Sequence, residues 1–287
     1  MDKGLTKIRD GDGPENIFLI PPAGCSLVYF KPLTEFLNPR FNVYSIDSCE
    51  FIHWDSIETY AGFIAKSMIS IQPSGPWLIG GACFGTHIAL EVTAQLPQQS
   101  QKLTNESHLY LIDSSAPLNG PGWSYDAHNN IARMNARKKN ILAFYWRKLV
   151  QSYQKDHFKS LAHRQKHRLI GLVNSDVRKY NRVRVIQGRT FTTYQSRPVA
   201  TGITLILSRE HAQKEQEIER WRSLTLGSFN CHCTDALTHY DMLNKRSPYW
   251  RHIAQIFNKI IQQESSDNES NNSLDRRNQT EQVSCVK

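Results

Sequence analysis

Apolar residues along this chain follow two rhythms. Short unbroken runs bounded by Gly, Pro or polar residues read as buried strands: "NIFLI" (16–20), "FNVYSID" (41–47), "WLIGG" (77–81), "HLYLID" (108–113), "ITLILS" (203–208) and, less apolar, "GSFNCHC" (227–233). Between them lie stretches with helical spacing. "LVYFKPLTEFL" (27–37) carries Pro32 as its start or a kink. "DSIETYAGFIAKSMISIQ" (55–72) is amphipathic, and Asp55 with Glu58 three residues on resembles a capping box. "FGTHIALEVTAQL" (84–96) sets Ile88, Leu90, Val92 and Leu96 partly on one face, and "SPYWRHIAQIFNKII" (247–261) closes the series. Strands alternating with helices predict an α/β domain on a mainly parallel sheet.

The alternation pauses after "SSAPLNGPG". From about 128 to 182 the chain is helical, basic and aromatic, with no strand signal. The insert, at about 118–200, lies within one domain over 1–263. The polar stretch 264–287 reads as a disordered tail.

The join between the third strand and its helix reads "LIGGACFGTHIALE". Gly81-Ala82-Cys83-Phe84-Gly85 fits Gly-x-nucleophile-x-Gly with cysteine at the centre. A nucleophile elbow follows a buried strand and opens a helix, because the strained turn lifts the side chain above the sheet edge. That context separates Cys83 from an ordinary packed thiol. A nucleophile needs a base and the base an orienter, in the chain order nucleophile, acid, histidine. Asp113 ends the strand "HLYLID", and His239 follows the last strand. Glu210, just after "ITLILS", is the alternative acid, and Asp113 is preferred on the order of the triad. Of the eleven histidines, His87 and His232 read as packing residues, and His163 and His167 as solvated. The oxyanion hole needs two backbone N–H groups, expected from Phe84 and from Ala23 in the turn "PPAGCS". "CHC" (231–233) is not a metal site, because alternation puts Cys231 and Cys233 on one strand face and His232 on the other.

Charge adds a second feature. The net charge is +9, but residues 131–190 hold 16 Lys/Arg against only Asp156 and Asp176, so the remainder is acidic. A concentrated basic block suggests an acidic partner; the plain alternative is a solvated helical face. The block shows no nucleic-acid-binding motif, so nucleic acid is not the expected partner. No apolar run is long enough to cross a membrane, no secretory leader is evident, and six cysteines in 287 residues are no disulfide framework. A cytoplasmic setting is expected.

Taken in order, these motifs resemble the thioesterase domains of nonribosomal peptide and polyketide synthetases. An apolar strand, Pro-Pro-Ala-Gly-Gly and a Tyr-x-x-Leu helix appear as "FLIPPAGCSLVYFKPLTEFL". The entry to the elbow strand appears as "ISIQPSGPWLIGG", the elbow as "CFGTHIALE", the acid strand as "LIDSSAP" and the histidine motif as "LTHYDML". The match is densest over 5–117, sparse through 118–200 and intermediate over 201–260. Three departures stand out: Cys83 for serine, Thr86 for glycine, and Leu237-Thr238 for Gly-Asp.

The resemblance implies an α/β-hydrolase fold with a helical lid at about 118–200, and an acyl or peptidyl chain presented on the phosphopantetheine arm of an acidic carrier protein, with no bound cofactor. The chain would pass to Cys83 as an acyl-enzyme and leave by hydrolysis or by transfer to an amine or hydroxyl. Cysteine members of the family make strained rings or amides, so transfer is expected at least as readily as hydrolysis. Two rivals are a cysteine hydrolase of the dienelactone-hydrolase type and an inactive hydrolase-fold binding module using the basic segment. An opening Met with no adjoining carrier segment fits action in trans or an excised domain.

Overall fold

A computed structural model describes residues 4–99, 107–121 and 175–259. Most of the expected lid, including 131–174 of the basic block, and the tail from 264 lie outside the described residues.

Among the described residues seven strands form one sheet in the order β1-β3-β2-β4-β5-β6-β7. They are β1 (Thr6–Arg9), β2 (Asn16–Ile20), β3 (Asn42–Ser45), β4 (Leu78–Ala82), β5 (His108–Ile112), β6 (Gly202–Leu207) and β7 (Phe229–Cys233). Only β1 is antiparallel to its neighbour. The middle strands β2, β4, β5 and β6 are buried along almost their whole length, which explains their continuous apolar runs: helices cover both faces. The edge strands differ. β1 contains one aliphatic residue, Ile8, so its sequence carries no strand period. β7 exposes Cys231 and Cys233, while His232 is half-buried, as alternation predicts.

Helices α1 (Lys31–Thr34), α2 (Ile57–Ile71), α3 (Gly85–Gln99) and α4 (Ser175–Thr193) come first. They are followed by α5 (Arg209–Ala212), α6 (Glu215–Arg222), α7 (His239–Leu243) and α8 (250–259). Pro32 sits in the first turn of α1, where its missing N–H costs nothing. The cap of α2 corrects the expectation from Asp55 and Glu58. Ser56 is the N-cap, and its hydroxyl accepts from the Thr59 N–H at 3.1 Å. Serine one position nearer the first helical turn supplies the acceptor directly.

The core lies on both faces of the sheet. On one, α2 and α3 bury Tyr60, Ile64, Met68, Ile88 and Val92 with Phe18, Ile79 and Leu111. On the other, the 27–37 segment and α8 bury Phe30, Leu33, Trp250 and Phe257 with Ile17, Leu19 and Tyr110. The carboxyl ends of β4, β5 and β6 therefore meet at one sheet edge, each followed by a residue singled out above.

Candidate active site

Cys83 lies between β4 and α3 with φ of 52°. That left-handed conformation is strained for a non-glycine residue and follows from the sharpness of the turn. The glycines on either side make the turn sterically feasible. A Cβ on Gly81 would collide with the Gly85 carbonyl, and one on Gly85 with the Ile20 carbonyl. The Cys83 N–H donates to Ile112 O at 3.0 Å, which pins the turn to β5. Thr86, where the resembled family has glycine, adds a lock of its own. Its hydroxyl donates to Cys83 O at 2.7 Å, beside the Thr86 N–H at 3.1 Å.

Asp113 directly follows β5, also left-handed (φ 49°) and fully buried. Its carboxylate is divided between two sets of donors. Oδ2 accepts from His239 Nδ1 at 2.8 Å. Oδ1 accepts from the Ser208 N–H at 2.6 Å and from His211 Nδ1 at 3.1 Å. Burial alone would raise the carboxyl's pKa, but these donors outweigh it and hold Asp113 well below the usual carboxylate range.

His239 opens α7. Thr238 caps that helix by accepting from the Asp241 N–H, and Asp241 accepts from Thr238 in return. The Leu237-Thr238 departure therefore supplies a complete capping box. Two further contacts hold the helix. Glu210 accepts the His239 main-chain N–H at 3.2 Å, and the Tyr29 hydroxyl donates to Leu243 O at 2.6 Å. With Nδ1 on Asp113, the other ring nitrogen is left for Cys83. Burial of the ring opposes its charge, but the bond to Asp113 and the influence of Cys83 raise its pKa to about 10.

The structure thus brings Cys83, Asp113 and His239 together, and places Glu210 on the main chain of His239 rather than on its ring. Ala23 lies in the turn after β2, beside Gly24 with φ of 72°. Among the described residues neither the Ala23 nor the Phe84 N–H finds an acceptor. His87 is buried: its Nε2 lies 3.1 Å from Ser115 O, and its ring packs on Phe191 and Trp221. Burial pushes its pKa down to about 4, as a packing histidine requires.

His211 was not among the expected residues. It is the third residue after Ser208 at the end of β6, and its ring centroid is 5.4 Å from that of His239. Asp113, His211 and His239 place three potential ligand atoms within 4.8 Å of one another, but the Nδ1 atoms already engage the carboxylate directly. Hydrogen bonding accounts for the cluster.

Comparison with known proteins identifies the family. The family model described as "Thioesterase domain" matches residues 15–261. A non-reducing polyketide synthase of Pseudevernia furfuracea is 32% identical over 105 residues, covering 35% of this chain and 5% of the synthase. One of Cladonia metacorallifera is 32% identical over 119 residues, covering 39% and 5%. The chain thus spans a small fraction of the length of the curated relatives it matches. Among solved structures, the four-domain nonribosomal peptide synthetase AB3403 matches with a TM-score of 0.61 and 26% identity, over 89% of this chain and 20% of that one. The Vlm2 thioesterase domain matches with a TM-score of 0.57 and 17% identity, over 89% and 96%. RedJ, a thioesterase from the prodiginine pathway of Streptomyces coelicolor, gives 0.55 and 18%, over 85% and 91%. Among the described residues no helix is long and apolar enough to cross a membrane. With a family match over most of its length on a mostly parallel α/β-hydrolase sheet, the chain belongs to the thioesterase domain family.

Proposed function

We propose that this domain releases an acyl or peptidyl chain from the phosphopantetheine arm of a carrier protein through a Cys83 acyl-enzyme, in natural-product biosynthesis. The observation that carries the reading is the Asp113–His239 hydrogen bond beside Cys83 on the strained elbow. Cys83 Sγ attacks the thioester carbonyl. The Ala23 and Phe84 N–H groups stabilise the oxyanion. His239, held as imidazolium by Asp113, protonates the departing pantetheine thiol and then accepts a proton from the incoming nucleophile. Asp113 fixes the tautomer and orientation of His239. His211 and the Ser208 N–H fix Asp113 in turn, so His211 is a positioning residue. No cofactor is required, because the substrate arrives activated on its carrier.

The intermediate is a thioester, more reactive toward amines than the oxyester a serine would form. The domain therefore transfers its chain to an amine or hydroxyl, closing a ring or forming an amide, as well as to water. An acidic carrier suits the basic segment 131–190.

The reading is tested by intact-mass analysis after incubation with an acyl-pantetheine thioester. The expected result is a mass gain equal to the acyl group, absent in Cys83→Ala. An unmodified wild type across peptidyl and alkanoyl thioesters would sink it.

A further inference from the structure

Gln187 lies on the inward face of α4 and is 1% exposed, yet among the described residues neither Oε1 nor Nε2 has a hydrogen-bond partner. Burying an amide with both ends unpaired is costly, and native proteins rarely leave one so. Its surroundings place it close to the elbow. One turn earlier, Val183 belongs to the core cluster that includes Phe51 and Tyr60. One turn later, Phe191 meets the His87 ring at 4.5 Å and the Phe84 ring at 6.4 Å, and Phe84 meets Phe51 at 5.7 Å. Side chains four apart on a helix lie on one face. The amide therefore sits on the face of α4 turned toward the residue that follows Cys83. Its neighbours one turn away on that face, Val183 and Phe191, are apolar and offer it no hydrogen bond.

We infer that Gln187 is a specificity-determining residue that recognises an amide group of the bound chain, so that this domain takes peptidyl thioesters in preference to plain alkanoyl ones. The inference rests on the reading that Cys83 accepts a carrier-bound chain. An unpaired donor and an unpaired acceptor on one rigid plane call for a ligand group offering both a carbonyl and an N–H. A peptide unit has both, and a hydrocarbon chain has neither. A site built to hydrogen-bond a substrate group discriminates against chains that lack it, because its own polar atoms then stay unpaired.

The test compares a short peptidyl pantetheine thioester with an alkanoyl pantetheine thioester of equal length, on wild type and Gln187→Leu. For the variant, kcat/KM on the peptidyl substrate is expected to fall about tenfold, the worth of one hydrogen bond, with the alkanoyl value unchanged or higher. Its melting temperature should equal or exceed that of the wild type, since an unpaired buried amide is removed. Gln187→Met, of similar length, serves as a second variant if leucine packs badly. Equal losses on both substrates, or no loss on either, would overturn the inference while leaving Cys83 acylation intact. A hydroxylated chain without amides that showed the same tenfold dependence would also overturn it. Absence of Cys83 acylation by every thioester would overturn the underlying reading as well.

Discussion

His211 Nδ1 stands 3.1 Å from Asp113 Oδ1, on the carboxylate oxygen opposite the one that binds His239. Two imidazoles therefore share one buried acid. Each donor draws on the same negative charge, so His211 weakens the pull of Asp113 on His239 while fixing its plane. His211→Leu should lower kcat about tenfold and move the alkaline limb assigned to His239, near pH 10, upward. His211→Asn, which keeps a neutral donor, should restore most of the rate and the position of the limb. The pH dependence of Cys83 alkylation checks both. A role in packing alone would lower the rate without moving the limb.

The choice between the two candidate acids has a direct consequence. Asp113 touches the His239 ring, whereas Glu210 touches only its main-chain N–H. Asp113→Asn should cut acylation by roughly 10²–10⁴, because the tautomer of His239 is no longer enforced and its cation loses its partner. Glu210→Gln keeps an oxygen for the same N–H and should cost less than about tenfold. Single-turnover acylation rates separate the two, and comparable losses would reopen the assignment of the acid.

The elements that were legible in the sequence are those whose signal is local. β2, β4, β5 and β6 are buried on both faces, so their apolar runs stand out. The elbow shows itself because strand, glycines and helix must adjoin. β1 was not legible: an antiparallel edge strand reading "TKIR" has almost no apolar content. The cap of α2 was misplaced by one residue because aspartate and serine at 55 and 56 are both good acceptors, and only backbone geometry chooses between them. His211 was hidden for a different reason. Its role depends on β5 and β6 lying side by side, which brings it to a residue 98 positions earlier. No local spacing encodes that pairing, and eleven histidines offer many alternatives.

On the proposed mechanism, the thiol of Cys83 sets the fate of the acyl chain. Cys83→Ser keeps the elbow, with φ near 52° and the Thr86 lock on the main chain, so the variant should fold and acylate slowly. Its intermediate is an oxyester, less reactive toward amines. The ratio of aminolysis or cyclisation to hydrolysis should fall several-fold relative to wild type, measured by product analysis at fixed amine concentration. An unchanged ratio would mean that the acceptor is chosen by the pocket alone.

His87 gives the fold a defined weakness in acid. Burial lowers its pKa from an ordinary 6.5 to about 4, and its Nε2 faces the Ser115 carbonyl at 3.1 Å. A histidine depressed in the folded state takes up its proton first in the unfolded chain. Stability is therefore intact above about pH 6.5 and falls as the pH drops toward 4, below which the loss is complete. The shift corresponds to on the order of 3 kcal/mol for a group this buried. His108, also pushed down to about 4 by burial, adds a parallel loss. Asp113 works in the same direction but at lower pH, because its carboxylate must be protonated well below the usual range. His87→Phe would keep the ring packing against Phe191 and Trp221 while removing the proton. Urea midpoints for wild type should fall markedly between pH 7 and pH 4.5, and the variant should lose about half as much. If both fell in parallel, the acid sensitivity would lie with His108 and the carboxylates rather than with His87.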